Sequence, residues 1–385
     1  MNTSLTLLNR NLQLVRYPQN LQHPSWQAWD AADEYLIEYV EQSVQDLQSQ
    51  SVSIYNDDFG ALACWFADVK PTWINDSYVA KQSCLVNLQK NNSPIESVTF
   101  YDSITQVDSG VELVLLKIPK TTALLEQQLI DLQKRVSSST TVIAAGKATL
   151  IQKSTLALFE KYLGATTTSL AKKKARLVFC QPTGTKSHSS PYPTIWFTDK
   201  PRFEIKNMAN VFARQQLDIG ARFMLEHLSK LPKMDNKTVI DLGCGNGVLG
   251  LHILKQNKQA KVVFVDESYM AVASARHNIL TNMAEKEPQS DFIVNNCLDD
   301  FTKKSKFTEV DIVLCNPPFH QQNAITDHIA WQMFKDAKSV LQHGGKLIVV
   351  GNRHLDYPNK LKKLFGNVTK VATNQKFSIL SVTKS

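Results

Sequence analysis

The 385-residue sequence lacks the features of membrane, secreted and fibrous proteins. No apolar run approaches the ~20 residues that span a bilayer. The N-terminus, Met1-Asn2-Thr3-Ser4-Leu5, has no basic region followed by an apolar core, so we expect no signal peptide. With 43% hydrophobic and 20% charged residues, the composition is typical of a soluble globular protein rather than of a disordered or collagen-like chain.

The six cysteines form no Cys-x-x-Cys pair and show no Cys/His spacing typical of a metal site. They occur singly, mostly in apolar stretches, which predicts reduced, buried thiols in a cytoplasmic protein. We also find no nucleophile–base arrangement. The sequence therefore predicts no metal, and we assign no general base, although His320 and His328 lie near the motif described below.

Positive charge is concentrated in the later part of the chain. Residues 1–116 carry 5 Lys/Arg against 14 Asp/Glu, a net of −9, whereas residues 117–385 carry 38 against 21, a net of +17. The densest basic cluster is Lys172-Lys173-Lys174-Ala175-Arg176. A lone basic cluster is usually a solvated face, but such asymmetry in a chain with a pI of about 9 favours a nucleic acid as partner.

Two domains are the natural expectation for this length. The stretch Gln181–Pro193 is rich in turn-forming and polar residues, which predicts a linker. We therefore place a first domain at residues 1–185 and a second at residues 194–385.

Predicted strands and helices alternate in the second domain. The predicted strands are a hairpin of 194–197 and 203–205, then 239–241, 261–266, 292–295, 311–315 and 346–350, and a closing hairpin of 368–372 and 377–382. The predicted helices are 219–228, capped by Asp218, one that ends at residue 254, 268–281, and one near 331–340. This alternation predicts an α/β fold with a mainly parallel sheet covered by helices on both faces. The closing hairpin would add one antiparallel strand.

The first domain repeats this pattern in a weaker form. Segments 53–62, 75–80 and 114–120 match segments 239–245, 265–271 and 313–319, in the same order. Three matches in one order indicate a duplicated domain. The first copy lacks the glycines and the Asn-Pro-Pro of the second, so we predict two tandem Rossmann-like domains, of which the first is degenerate and not catalytic.

The most specific motif is Asn316-Pro317-Pro318-Phe319, at the end of a predicted strand. A ring-conjugated amine is a poor nucleophile, and its methylation develops positive charge on nitrogen. The carboxamide oxygen of Asn316 and the carbonyl oxygen of Pro317 can each accept one N–H bond and stabilise that charge. Pro317 and Pro318 fix the backbone, and Phe319 offers a stacking face for a flipped base. A Pro-Pro turn that ends a strand is the alternative.

A glycine-rich loop ends another strand, about seventy residues upstream of the Asn-Pro-Pro-Phe motif. It contains Asp241, Gly243, Gly245 and Gly247, and glycine permits positive φ and the close approach of a ligand. The Gly-x-Gly-x-Gly spacing after an acid differs from the dinucleotide fingerprint, which favours a ligand without a pyrophosphate. For the loop alone, an ordinary tight turn is the alternative.

Two further side chains follow the next strands and could contact a nucleoside. Asp266 closes the strand after the glycine loop, where a carboxylate can accept both ribose hydroxyls. Asn296 follows the third strand and can meet an adenine edge, with Asp299 as a second option. A helix N-cap or surface acid is the alternative for Asp266, and a turn residue for Asn296. With the glycine loop, these residues predict an adenosyl cofactor.

Seven basic residues are candidate RNA contacts. Lys117 and Lys120 lie where the second domain has its Asn-Pro-Pro-Phe motif, and the basic cluster adds Lys172, Lys173, Lys174 and Arg176. Arg214, like its neighbour Phe212, lies in a segment before the first strand of the second domain that could fold over a cofactor. A plain lead-in to the helix is the alternative for this segment.

Residues 239–385 resemble the Asn-Pro-Pro-Phe group of class I S-adenosylmethionine-dependent methyltransferases, and the whole chain resembles a family of large-subunit ribosomal RNA methyltransferases. The stretches that carry the second resemblance are 27–36, 117–121, 217–223, 263–268, 316–322 and 352–357. The resemblance implies S-adenosylmethionine as cofactor and methylation of a guanine N2 in 23S ribosomal RNA, at position 1835. It also implies that the first domain binds RNA.

Four other functions are compatible with the same residues. A 16S ribosomal RNA guanine methyltransferase would share the architecture, and a protein-glutamine or adenine methyltransferase can use the same tetrapeptide. A ribosome assembly factor with a vestigial methyltransferase fold would bind RNA without catalysis. The intact Asp241, glycines, Asp266 and Asn316 argue against the assembly factor, and the charge asymmetry argues for RNA over a protein substrate.

Overall fold

The computed structural model describes residues 2–19, 26–184, 187–318 and 324–385. The chain divides into two compact units, Met1–Tyr192 and Pro193–Ser385. Across the described ranges, no helix combines the length and the apolar character needed to cross a membrane. All six cysteines are free thiols, and only Cys297 is incompletely buried.

The first unit forms a seven-stranded mixed sheet with an additional hairpin. Its strands are β1 (Ser4–Leu7), β2 (Arg10–Gln13), β3 (Val52–Tyr55), β4 (Thr72–Asn75), β5 (Thr99–Asp102), β6 (Leu113–Lys117), β7 (Thr141–Lys147), β8 (Gly164–Thr168) and β9 (Ala175–Pro182). Its helices are α1 (Ala31–Ser43), α2 (Ala61–Trp65), α3 (Tyr78–Lys90), α4 (Thr122–Leu132) and α5 (Lys153–Tyr162). The sheet order is β5-β4-β3-β6-β7-β9-β8, and β1 pairs with β2. Because β9 includes Gln181 and Pro182, the segment between the sheets begins two residues later than the predicted linker.

The second unit repeats the architecture of the first. Its strands are β10 (Thr194–Phe197), β11 (Glu204–Asn207), β12 (Thr238–Leu242), β13 (Lys261–Asp266), β14 (Ser290–Val294), β15 (Val310–Cys315), β16 (Leu341–Asn352), β17 (Thr369–Thr373) and β18 (Phe377–Thr383). Its helices are α6 (Ile219–Glu226), α7 (Val248–Gln256), α8 (Tyr269–Met283), α9 (Phe301–Lys304), α10 (Ala324–Val340) and α11 (Tyr357–Phe365). The sheet order is β14-β13-β12-β15-β16-β18-β17, and β10 pairs with β11.

The two sheets have the same order, strand for strand, and each has a hairpin ahead of its first sheet strand. In the second unit, β14, β13, β12, β15 and β16 pair in parallel, and β18 is antiparallel to both of its neighbours. The predicted α/β fold with two tandem Rossmann-like domains is therefore confirmed. The single antiparallel strand contributed by the closing hairpin is confirmed as well.

The central strands consist mainly of apolar residues because both faces of the sheet are covered. All five residues of β12 are buried. Val239 packs into the core on one face, together with α6, α7 and α8, whereas Ile240 packs into the core on the other face, together with α10 and α11. Burying one such side chain contributes roughly 1.5–3 kcal/mol to stability. This two-sided burial explains why the strands read as continuous apolar runs rather than as alternating patterns.

Three polar side chains on α8 bind the β10–β11 hairpin to the rest of the second unit. Asn278 accepts a hydrogen bond from the backbone N–H of Lys206 (2.8 Å) and donates to the carbonyl oxygens of Lys206 and Asn246 (3.0 Å each). Asn282 makes the same pair of bonds to the backbone of Glu204. These residues and Ser274, which accepts from the Met208 N–H, lie four residues apart along one face of the helix.

The first unit contains the same arrangement at the same helical spacing. Asn87 of α3 accepts from the Val15 N–H (2.9 Å) and donates to the carbonyl oxygens of Val15 (2.9 Å) and Phe59 (2.8 Å). Asn91 pairs with the backbone of Gln13, and Ser83 accepts from Tyr17. In each unit, we call the serine and the two asparagines of this set the asparagine clamp: Ser274, Asn278 and Asn282 in the second unit, and Ser83, Asn87 and Asn91 in the first. Its presence in both units supports the duplication that the sequence indicates.

Replacing Asn278 with alanine should lower the stability of the second unit. The substitution leaves the partly buried N–H and carbonyl oxygen of Lys206 and the buried carbonyl oxygen of Asn246 without their partner. A buried polar group left unpaired costs about 1–3 kcal/mol. We expect the free energy of unfolding to fall by about 2–4 kcal/mol, measured by urea denaturation. Thr281→Ala, at an exposed position on the same helix, is the control and should change stability by less than about 0.5 kcal/mol. Equal effects of the two substitutions would contradict the clamp.

Candidate active site

The glycine-rich loop and the Asn-Pro-Pro motif follow two neighbouring strands. β12 and β15 are parallel and adjacent, with Leu242 opposite Cys315. A Cβ added to Gly243 would lie 4.0 Å from the carbonyl oxygen of Asn316. The carboxyl ends of adjacent strands form the usual ligand-binding edge of an α/β sheet.

The loop after β12 needs glycine at two positions for different reasons. Gly247 has φ +75°, and a Cβ there would lie 2.8 Å from the Cβ of Ala275 on α8, so glycine allows the loop to pack against that helix. Gly245 has φ +52°, and a Cβ there would meet no atom of the described chain within 4 Å. The loop backbone at Gly245 is therefore open to close approach by a ligand.

Two carboxylates hold this loop in place. Asp241 is buried and accepts a hydrogen bond from the Gly250 N–H at the start of α7 (3.0 Å). Burial raises the pKa of Asp241 to about 7, and the nearby charge of Asp266 adds to this effect. Asp266 accepts from the Gly245 N–H (2.9 Å) and from the Ser268 N–H (3.1 Å). Ser268, not Asp266, caps α8.

Asn296 lies close to Asp266, and its side-chain amide already forms a hydrogen bond within the protein. The backbone N–H of Asn295 donates to the carbonyl oxygen of Asp266 (2.9 Å), which brings the end of β14 to the site. Asn296 is buried, and its Nδ2 donates to the carboxylate of Asp299 (2.8 Å). The bond to Asp299 uses one of the two N–H groups of Nδ2, so the predicted adenine contact would use the second N–H or Oδ1 of Asn296.

Asn316 has one end of its carboxamide bound and the other without a partner. Its Nδ2 donates to Oδ2 of Asp218 (3.0 Å). Its Oδ1 is buried, and no donor among the described residues forms a hydrogen bond with it. Pro317 is buried and Pro318 is exposed, whereas Phe319 and His320 lie outside the described residues. The backbone of Asn316 lies next to the glycine loop, so an amine bound at this strand end could donate to the unpartnered Oδ1.

Sequence reasoning missed two contributors to this site. Asp218 was predicted only as a helix cap, which it is, because its Oδ2 also accepts from the Ala221 N–H (2.9 Å). Asn246, inside the glycine loop, donates to Oδ1 of Asn207 at the end of the hairpin (2.9 Å), and both side chains are buried. A signal existed for Asp218, since it opens an amphipathic helix, but none existed for the Asn207–Asn246 pair.

The structure does not place Lys117 where RNA could reach it. The side chain is buried, and Nζ contacts Oδ1 of Asp30 (3.0 Å) and Oδ1 of Asp33 (2.6 Å). Burial alone would lower the pKa of Lys117, but the surrounding carboxylates of Asp33, Asp58 and Asp30 raise it. The ammonium is therefore a paired internal charge. This corrects the expectation that Lys117 contacts a phosphate.

The other predicted RNA contacts differ in whether their side chains already form ion pairs or hydrogen bonds within the protein. Lys172 and Lys173 pair with Glu38 and Glu34 of α1. The Arg176 guanidinium donates to the carbonyl oxygen of Ser169 and to the Thr168 hydroxyl, and that of Arg214 donates to the carbonyl oxygen of Ala209. Lys120 and Lys174 are exposed and have no ion pair within the described ranges. Exposed ion pairs of this kind contribute little free energy, so the pairs of Lys172 and Lys173 with glutamate do not prevent these lysines from contacting a phosphate.

The arrangement fits an adenosyl cofactor. The backbone of Gly245 is open, a carboxylate lies at the end of the adjacent strand β13, and Asn296 follows β14. Across the described parts of the chain, no group of three or more His, Cys, Asp or Glu side chains could hold a metal ion. The sheet order, the glycine loop and the Asn-Pro-Pro motif at the neighbouring strand define the second unit as a class I methyltransferase, a class that uses S-adenosylmethionine.

The comparisons with known proteins narrow this class to a family. The RLMG N-terminal domain family matches residues 2–184, and the Methyltransferase small domain family matches residues 202–381. Ribosomal RNA large subunit methyltransferase G of Pseudoalteromonas atlantica is 59% identical over 386 residues, covering 100% of both chains. The same enzymes of Aeromonas salmonicida and Klebsiella pneumoniae are 51% and 52% identical, covering 100% and 96% of both chains, respectively. The chain belongs to the ribosomal RNA large subunit methyltransferase G family.

A solved structure shows the same fold over the whole length. The 16S rRNA N2 G1207 methyltransferase of T. thermophilus, in complex with AdoMet and guanosine, has a TM-score of 0.75 and 17% sequence identity. The alignment covers 100% of this chain and 98% of that chain. The predicted family, enzyme class and cofactor are confirmed by these comparisons together with the fold.

Two glycine substitutions should separate the folding role of the loop from cofactor binding. Gly247→Ala should lower the thermal unfolding temperature because its Cβ overlaps Ala275. Gly245→Ala should leave a folded protein, with strain of about 1–2 kcal/mol from the left-handed backbone. It should nevertheless weaken S-adenosylmethionine binding about tenfold or more, as measured by calorimetry, because the methyl side chain of the new alanine enters the space that the cofactor needs. Full affinity in the Gly245→Ala protein would contradict a cofactor at this position.

Proposed function

We propose that this protein transfers the methyl group of S-adenosylmethionine to the exocyclic N2 of a guanine in 23S ribosomal RNA in the cytoplasm. The large-subunit RNA is supported by the family name shared with relatives of 51–59% identity over the full length. Guanine N2, and position 1835 in particular, rest on the family resemblance described above. The structural neighbour is described as methylating the same atom of a guanine, in 16S rRNA.

The observation that carries this proposal is the unpartnered carboxamide oxygen of Asn316. A buried acceptor without a donor is costly, and such groups in folded proteins call for an explanation. Asn316 Oδ1 is buried, and Asn316 follows a strand adjacent to the one that carries Asp241, with its backbone next to the glycine loop. An amine N–H of the substrate would supply the missing donor.

The chain's own residues would assist the reaction by stabilising charge on nitrogen. S-adenosylmethionine, when bound, supplies an electrophilic methyl group. The guanine amine is conjugated with the ring, so its nitrogen must become pyramidal and partly positive to attack. Asn316 Oδ1 is fixed and buried, and a fixed acceptor in a partly desolvated site stabilises this charge without reorganising. The Pro317 carbonyl oxygen is the proposed second acceptor.

We also propose that the first predicted domain, residues 1–185, binds RNA while the second, residues 194–385, carries out catalysis. Gly60 in the first unit corresponds to Gly247, but Gly243, Gly245 and the Asn-Pro-Pro of the second unit have no counterparts there. Lys117 is buried in the first unit with carboxylate partners. Lys120 and Lys174 are the exposed candidates for phosphate contacts, and Lys172, Lys173 and Arg176 lie in the same basic cluster as Lys174. Arg214 remains the candidate in the second unit.

Asn316→Ala should reduce turnover while leaving cofactor binding intact. The substitution removes the proposed acceptor but none of the residues around the glycine loop. We expect kcat to fall about 100-fold or more, in line with the loss of one fixed hydrogen-bonding partner of a transition state. Turnover is measured as transfer of labelled methyl from S-adenosylmethionine to RNA, and binding by calorimetry. Asn359→Ala, at an exposed asparagine of α11, is the control and should retain wild-type turnover. Loss of cofactor affinity in Asn316→Ala would argue against its assigned role.

The substrate is tested with the wild-type protein. Protein-free 23S RNA, protein-free 16S RNA and the assembled subunits are each incubated with labelled S-adenosylmethionine, and the methylated nucleotide is mapped. Methylation of a 23S guanine at N2 supports the proposal, and methylation of 16S RNA would identify the alternative substrate. Binding of RNA without transfer to any RNA would favour the non-catalytic assembly factor.

Removing the exposed lysines should weaken RNA binding uniformly. Lys120→Ala and Lys174→Ala each should raise the KM for RNA about threefold and lower the slope of log K against log salt by about 1, if each lysine neutralises one phosphate. Lys90→Ala, at an exposed lysine of the acidic first segment, is the matched control. An unchanged salt dependence in both variants would exclude these lysines as phosphate contacts.

A further inference from the structure

We infer that Asp218 is a positioning residue that fixes the orientation of the Asn316 carboxamide for methyl transfer. The inference rests on the proposed function, because it assigns a role to Asn316 in that reaction. Asp218 lies outside both sequence motifs, 98 residues before Asn316. It reaches the site because α6, which it caps, packs against β16, the strand next to β15.

The geometry allows only one orientation of the Asn316 amide. The same oxygen of Asp218, Oδ2, accepts from the Asn316 Nδ2 at 3.0 Å and from the Ala221 N–H at 2.9 Å. A carboxylate oxygen accepts hydrogen bonds and cannot donate them when ionised. A flipped Asn316 would place Oδ1 against this oxygen, so that two acceptors would face each other. The amide group is therefore directed to Asp218, and Oδ1 is directed away from it.

This constraint matters because a free carboxamide would not stay in the productive orientation. Oδ1 is buried without a donor in the described chain, and a carboxamide free to turn could bring its oxygen to another donor instead. With the amide end bound, the oxygen is held as an acceptor before substrate arrives. Preorganised acceptors of this kind lower the barrier because they need no rearrangement during the reaction.

The positioning role can be separated from the helix-capping role. Serine caps helices about as well as aspartate. Ser268 in the same unit does so for α8, accepting from the Ala271 N–H (3.1 Å). A serine at position 218 would therefore keep the cap of α6, but its side chain is one atom shorter and would not reach Asn316. An asparagine at position 218 could keep both bonds, because its carbonyl oxygen can take the place of Oδ2.

The first test compares Asp218→Ser with Asp218→Asn in the full-length protein. We expect Asp218→Ser to keep its thermal unfolding temperature, its affinity for S-adenosylmethionine and its KM for RNA, while kcat falls about tenfold or more. Asp218→Asn should keep kcat within about threefold of wild type, since it preserves the acceptor. If Asp218→Asn is as slow as Asp218→Ser, the negative charge and not the orientation matters, and the inference is overturned.

A double-mutant cycle shows whether Asp218 acts through Asn316. If it does, Asp218→Ser should cause no further loss of kcat in a protein that already carries Asn316→Ala. A residue that merely stabilises the fold would reduce kcat by the same factor in both backgrounds. Such additivity would overturn the positioning role.

A measurement that needs no RNA distinguishes failure of this inference from failure of the proposed function. In protein with ¹⁵N-labelled asparagine, the side-chain amide of Asn316 should exchange slowly with solvent in the wild type and in Asp218→Asn. It should exchange markedly faster in Asp218→Ser, where its acceptor is gone. Unchanged exchange in Asp218→Ser would overturn the inference, whatever RNA the protein methylates. Absence of methyl transfer by the wild type, with the expected exchange pattern, would instead reject the proposed function alone.

Discussion

The asparagine clamp is the interaction on which the arrangement of each unit depends. In the second unit, one carboxamide on α8 holds both the β10–β11 hairpin and the glycine loop, through the backbones of Lys206 and Asn246. The chain that leaves this hairpin leads directly to Asp218 and α6, so fixing the hairpin also directs the segment that meets Asn316. Because Asn87 makes equivalent bonds in the first unit, where the catalytic motifs are absent, the clamp belongs to the fold rather than to the reaction.

The two units differ in how the polar groups at the ends of two corresponding strands are paired. At the end of β15, Asn316 keeps a buried acceptor without a partner. At the end of β6, the corresponding strand of the first unit, Lys117 is enclosed by Asp30 and Asp33, and its charge is neutralised internally. A buried ion pair adds little net stability over an apolar core, yet it leaves no unpaired group for a ligand. The unpaired acceptor at this strand end therefore occurs in the unit that matches the methyltransferase family and not in the other, although both sheets have the same strand order.

Much of this fold was predictable from local patterns in the sequence. Apolar runs identified the strands of the second unit because both faces of its sheet are covered. Asp218, as a capping residue before an amphipathic stretch, predicted the start of α6. The glycine loop and the Asn-Pro-Pro motif also identified the two strand ends that meet. The assignment of Lys117 to RNA was wrong for a physical reason: a basic residue after a strand looks the same in sequence whether solvent or a buried carboxylate neutralises it. Its partners lie 87 and 84 residues earlier in the chain.

The sequence by itself determined most strands and helices of the second unit, the duplication and the chemical types present at the site, since periodicity, capping and glycine spacing act over a few residues. Only the tertiary structure decided which of these groups are paired. Asp218 meets Asn316 across 98 residues, and Asn207 meets Asn246 across 39, through the packing of elements that are distant in the chain. Side-chain hydrogen bonds between such elements depend on sheet order and on helix packing. No local pattern encodes them, and they decide which oxygen of the site is left for a substrate.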